Sequence, residues 1–136
     1  MAQTILGLDS MVFIYLLEEN VEYLGKVQSI LRSVQGGEYR GILSVIGMIE
    51  IMSGPKRKGR FDLAGRYKDV LQNFPHLSIV GISEQVVDIS STLIAQHHLD
   101  APDAIHLATA IDAGAERFIT NDKSLTKVKE IQVKIL

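Results

Sequence analysis

Residues 4–17 read TILGLDSMVFIYLL, an apolar run, an acid, and a second apolar run with a different period. The first part, TILGL at 4–8, is short and apolar with a β-branched start, as a buried strand is. Asp9-Ser10 is a natural helix start. Val12, Phe13, Leu16 and Leu17 then recur at helical spacing. A strand leading into a helix here begins the alternation of strands and helices along the chain.

Working outward, residues 22–35 predict a second helix with Leu24, Val27, Ile30, Leu31 and Val34 on one face, stopped by Gly36-Gly37. RGIL at 40–43 predicts a second strand, and Ser44 suits the cap of a third helix, VIGMIEIMSG, ended by Gly54-Pro55. A basic stretch, KRKGR at 56–60, follows. A helix is expected over 61–73, a strand over 77–80 and a helix over 83–98. Pro102 suits the first turn of a helix that runs to about Ala113, with Gly114 as its stop. RFIT at 117–120 reads as a fourth strand, and IQVKIL as a terminal one after a short helical turn. Strands alternating with helices predict an α/β fold, a central parallel sheet of about five strands with helices on both faces. No repeat, linker or low-complexity tract divides the chain, so one domain over residues 1–136 is expected.

Composition narrows the function. The 136 residues are 46% hydrophobic and 22% charged, enough for one well-packed core and too short for two. The net charge of −2 means that nucleic-acid binding would need a local basic patch. The absence of cysteine excludes a disulfide scaffold, a thiolate metal site and thiol catalysis, and fits a reducing compartment. The N-terminal apolar run has no basic flank and is interrupted by Asp9, unlike a signal peptide. No apolar stretch reaches the roughly 18 residues of a spanning helix. A soluble cytoplasmic protein with no membrane partner is expected.

Four acids stand in unusual settings. Asp9 follows the first strand; Glu50 lies in VIGMIEIM, apolar nearly all round; Asp103 opens AIHLATAI; Asp122 lies in TND, just past the fourth strand. Helices apolar on every side are buried, and buried carboxylates need partners. Few basic residues stand nearby in sequence, and converging carboxylates without cations repel one another. A hard divalent cation answers both difficulties. In an open parallel sheet the functional crevice lies beyond the carboxyl ends of the strands, where Asp9 and Asp122 fall and where the helices bearing Glu50 and Asp103 begin. All-oxygen ligation favours Mg²⁺ or Mn²⁺. Such ions activate water and stabilise phosphoryl charge, so phosphodiester hydrolysis fits best.

The segments LDSMVFIYLLE, SVIGMIEIMSGP, APDAIHLATAI and FITNDKSL, in that order, carry a resemblance over nearly the full length. The chain resembles PIN-domain nucleases, and among them the VapC-type toxins of toxin–antitoxin pairs. The resemblance implies a metal-dependent ribonuclease with Asp9 as central metal ligand, Glu50 and Asp103 as further ligands, and Asp122 often acting through water. It also implies that Thr120 and Asn121 shape that corner, with Ser10 beside Asp9, and that the partners are an RNA substrate, a cognate antitoxin and a second copy in a homodimer. Two positions depart from the family pattern. Met11 stands where Asn is usual, so one polar contact near Asp9 is expected to be missing. Position 47 is Gly, from which no loss of activity is expected.

Other roles exist for these residues. Asp9 and Asp122 could cap helices, and Asp103 could favour a helix dipole. His106, one turn after Asp103, reads as a satisfied core residue or a support to the site and is left out of the metal set. His97 and His98 suit a helix C-terminus, and Asp100 and Asp112 suit surface or capping positions. Lys56, Arg57, Lys58 and Arg60 are either a solvated loop or an RNA-backbone contact beside the cleft. The apolar excess of the first two helices, including Val12, Tyr15, Leu16, Leu24 and Val27, is core, with any surplus serving a homodimer face or an antitoxin groove. A phosphoacceptor receiver domain is disfavoured because Asp9 stands alone and GILS, the second strand, lacks an acceptor Asp. A non-catalytic RNA- or partner-binding PIN domain is the remaining rival.

Overall fold

The structure is a computed structural model that describes residues 3–136. Five parallel strands, β1 (Thr4–Leu8), β2 (Tyr39–Ser44), β3 (Leu77–Val80), β4 (Arg117–Thr120) and β5 (Gln132–Ile135), form one sheet in the order β3-β2-β1-β4-β5. Helices α1 (Ser10–Leu17), α2 (Leu24–Gln35), α3 (Val45–Arg57), α4 (Phe61–Gln72), α5 (Glu84–His97) and α6 (Ala101–Asp112), with a short 3₁₀ helix at Lys123–Lys127, connect them. This is the α/β architecture that the alternation predicts. Because β1 lies at the centre, between β2 and β4, the residue that follows it emerges mid-sheet.

Alternation along each strand sends side chains to two cores. Leu6, Leu8, Leu43 and Ile119 join Val12, Phe13, Val27, Leu31, Ile51 and Leu71 on the face covered by α1 to α4. Phe118 joins Val86, Leu93, Leu107 and Leu125 on the face covered by α5 and α6. Gly7 points at α6: a Cβ there would lie 2.5 Å from Ala110 Cβ, so only glycine lets that helix come so close to β1. Val12 and Val27 are fully buried, whereas Tyr15, Leu16 and Leu24 are only partly covered.

Local chemistry sets the helix ends. Ser44 ends β2 and accepts a hydrogen bond from Ile46 N at 3.2 Å, so α3 starts with no loop between. Ser83 caps α5 by accepting from Val86 N, and His98 closes that helix in the left-handed region at φ 55°. Gly114, at φ 78°, follows α6.

One boundary differs from the sequence reading. Helix α3 does not end at Gly54-Pro55 but continues through them to Arg57. Proline removes the bond to the carbonyl four residues back, and its ring crowds that carbonyl. Here the ring is buried in the last turn, and its carbonyl accepts from Lys58 N and Arg60 N at 3.0 and 2.9 Å. Lys56 and Arg57 are therefore helical rather than part of a loop. No helix among the described residues is long and apolar enough to cross a membrane.

Candidate functional site

Asp9 is the first residue beyond the central strand, fixed by its backbone N–H donating to Ile119 O at 3.0 Å. It occupies the cap position of α1, yet its side chain caps nothing. Instead Oδ2 accepts from Thr120 Oγ at 2.7 Å and Oδ1 from Ser10 Oγ at 3.3 Å. Both hydroxyls are buried with it, Asp9 being 6% exposed. A carboxylate so held is aimed by its neighbours, and its remaining lone pairs stay free for another partner.

Thr120 ties two of the predicted acids together. Its hydroxyl donates to Asp9 and accepts from Asp122 N at 3.1 Å. Asp122 itself caps the 3₁₀ helix, with Oδ1 accepting from Ser124 N at 3.0 Å and from Ser124 Oγ at 2.7 Å. Asn121 donates its backbone N–H to Met11 Sδ at 3.0 Å and its side-chain amide to Tyr15 Oη at 3.2 Å. At position 11 a thioether, a weak acceptor, thus takes the Asn121 N–H.

Glu50 departs from the burial expected of it. Its side chain is 41% exposed, and Ile49 beside it is 56% exposed. Helix α3 packs through Gly47, Ile51 and Pro55 and leaves the flank bearing Glu50 open. What meets the carboxylate is His106, whose Nε2 lies 2.6 Å from Glu50 Oε1 and 3.9 Å from Asp9 Oδ1. The imidazole is 2% exposed, and its Nδ1 is buried with no hydrogen-bond partner. Donor atoms of Asp9, Glu50 and His106 all lie within 4.8 Å of one another.

The electrostatics agree with this convergence. The hydrogen bond from His106 holds the Glu50 carboxyl below its ordinary value, against partial burial. Burial disfavours charge on His106, but the Glu50 hydrogen bond and the charges of Asp9, Glu50 and Asp103 outweigh it, so the ring is held above its ordinary value. Burial, followed by the charges of Asp9 and Asp122, pushes the Asp103 carboxyl up. Asp103 feels Asp9 and Asp122, and His106 feels Asp9, Glu50 and Asp103, as expected of groups sharing one cleft.

The structure therefore places Asp9 and Glu50 together, brings Asp103 and Asp122 within electrostatic reach, and assigns Asp122 a capping bond. Sequence reasoning left His106 out. Its signal was the spacing of DAIH, which puts Asp103 and His106 three residues apart on one face of α6. The donor set suits a divalent cation: two carboxylates and an imidazole, converging from three elements at the carboxyl edge of the sheet.

The model of the PIN domain matches residues 7–131, and the chain belongs to the PIN-domain family. Among solved structures, VapBC2 from Rickettsia felis bound to a DNA fragment from its promoter aligns over 98% of this chain and 99% of that one, with TM-score 0.79 and 15% identity. A toxin–antitoxin complex from Klebsiella pneumoniae aligns over 95% of each chain, with TM-score 0.71 and 23% identity. VapC20 of Mycobacterium tuberculosis, a sarcin–ricin loop cleaving toxin, aligns over 94% of this chain and 98% of that one, with TM-score 0.71 and 12% identity. At these identities the likeness is one of fold. No curated protein matches the chain.

Proposed function

We propose that this PIN domain, taken over residues 1–136, is a metal-dependent ribonuclease and the toxin of a type II toxin–antitoxin pair acting in the cytoplasm. The observation that carries the reading is the meeting of Asp9, Glu50 and His106 at one point of the sheet edge, with Asp103 beside them. A divalent ion bound there, Mg²⁺ or Mn²⁺, supplies Lewis acidity and lowers the pKa of water.

The chain's own residues do the positioning. Asp9 is the central ligand, oriented by Ser10 and Thr120. Glu50 approaches from α3 and Asp103 from the first turn of α6. Asp122, engaged with Ser124, acts at longer range, and Asn121 braces the corner against Tyr15.

A nucleic-acid phosphate backbone is the substrate chemistry that the basic residues favour, and the likeness to a sarcin–ricin loop cleaving toxin supports RNA. Arg57 lies seven residues after Glu50 on the same helical face, about 10 Å along the axis. Lys56, Arg57 and Lys58 make no ion pair among the described residues, whereas Arg60 is bound to Asp62 at 3.1 Å. Phe61, 66% exposed beneath Lys56 Nζ at 5.7 Å, adds an aromatic face beside them. The structural likeness to toxin–antitoxin complexes supports a cognate antitoxin, and the partly covered Tyr15, Leu16 and Leu24 offer apolar surface to it or to a second copy in a homodimer.

The decisive assay is RNA cleavage with Mg²⁺ or Mn²⁺, with a chelator, and with Asp9→Asn. Cleavage is expected to need the metal and to fall by more than about a hundredfold in the variant, beyond the usual loss for an outer contact. Activity that survives both chelator and substitution would refute the metal mechanism. Binding without cleavage of any RNA would identify a non-catalytic module. Neutralising Lys56, Arg57 and Lys58 is expected to flatten the salt dependence of RNA binding, and an unchanged slope would remove them from the interface.

A further inference from the structure

We propose that the trough between α2 and the outer strands β4 and β5 is a docking groove for an amphipathic helix of a partner protein, apolar along one stripe and acidic on its flanks. The inference stands apart from the metal and RNA reading above.

Two adjoining cavities of about 510 and 250 Å³ share Ile30, Ile119 and Lys134 and run along the sheet face beside α2. Leu6, Ile135 and Leu136 complete a floor that is chiefly aliphatic. On that side β5 is the last strand of the sheet. Parallel sheets ordinarily have both faces covered by helices, and a helix laid here would extend the layer that α2 begins.

Charge selects the flanks of the partner. Lys26 on α2, Arg117 on β4 and Lys134 on β5 line the trough, and no acidic residue does. None of the three makes an ion pair among the described residues, in a chain with 16 acidic and 14 basic residues. Arg117 is held over the Tyr39 ring at 5.7 Å, and its Nε is buried without a hydrogen-bond partner. A single lysine on an outer strand guards the edge against pairing. Three cations from three elements around one apolar floor match carboxylates set on either side of an apolar stripe. A nucleic-acid strand fits less well, because its bases stack on aromatic faces and the larger cavity has none.

The test is a selection, with the full chain as bait, from a displayed library of helices of about fifteen residues with a fixed apolar stripe and randomised flanks. Binders are expected to carry acidic flanks and to perturb the amide NMR signals of α2, β4 and β5. Their affinity is expected to fall about tenfold or more in Lys26→Glu/Lys134→Glu, a change at two exposed positions, and to return when the acids of the peptide are exchanged for lysines. That exchange cannot rescue a protein that has merely misfolded. Absence of binders, neutral or basic flanks, or a footprint elsewhere would overturn the proposal. So would loss of RNA binding in the double variant, which would make the trough a nucleic-acid contact, or loss of self-association, which would make it a face for a second copy.

Discussion

Helix α6 buries Ala104, His106, Leu107, Ala108, Thr109 and Ala110, whereas α3 buries only Gly47, Ile51 and Pro55. Both helices carry residues of the candidate site. The difference lies in what covers them. Helix α6 sits over the centre of the sheet, close enough to β1 that Gly7 is required, and α5 closes its other side. Helix α3 leans on β2 and α4 and leaves the flank with Ile49, Glu50 and Ser53 partly open. The site is thus built from a fixed wall, bearing Asp103 and His106, and an open wall, bearing Glu50. The open wall is the one that solvent reaches, and Arg57 continues the same face.

Truncating the fixed wall should have the largest effect. Leu107→Ala, at a fully buried position, is expected to cost about 3 kcal/mol in urea denaturation. Ile49→Ser on the open wall should change stability by less than about 0.5 kcal/mol. Comparable losses at both positions would break the contrast.

A second pair sharpens it within α3 alone. Gly47→Ala would press on Leu43 and His106 and should cost about 1–3 kcal/mol. Gly54→Ala meets nothing within 4 Å and should stabilise the helix by up to about 1 kcal/mol. Thermal melts of the two variants separate the face that touches the fixed wall from the face that does not.

The smallest effect expected is a pH dependence arising where the walls meet. Glu50 is held below its ordinary 4.5, so its contribution is present above that value and is lost as pH falls through the lowered one. His106 is held above its ordinary 6.5, so its contribution is complete below that value and is lost as pH rises through the raised one. Asp103, also raised, favours the lower side as well. The metal-free protein should therefore be most stable between these limits and lose stability on the alkaline side. That alkaline loss should be smaller in His106→Gln, and equal slopes in both proteins would detach the histidine from the pair.

Much of this was legible in sequence. TILGLDSMVFIYLL, the spacing of strands and helices, and the positions of Asp9, Glu50, Asp103 and Asp122 follow from local pattern, because strand and helix periods and cap residues act over a few positions. The VIGMIEIMSGP segment misled twice. Gly54-Pro55 reads as a stop, yet burial of the proline ring and backbone bonds to its carbonyl carry the helix on. An apolar surround reads as burial, yet an edge position leaves Glu50 41% exposed.

By itself the sequence determined the parallel α/β fold, the acids at the strand ends and the membership of the family. The tertiary structure decided which groups meet. His106 and Glu50 are 56 residues apart in the chain, and Thr120 and Asp9 are 111 apart. The first contact depends on how closely α3 approaches α6, which the glycine at position 47 permits, and the second on the pairing of β1 with β4. Neither distance is set by a local propensity of the residues that touch.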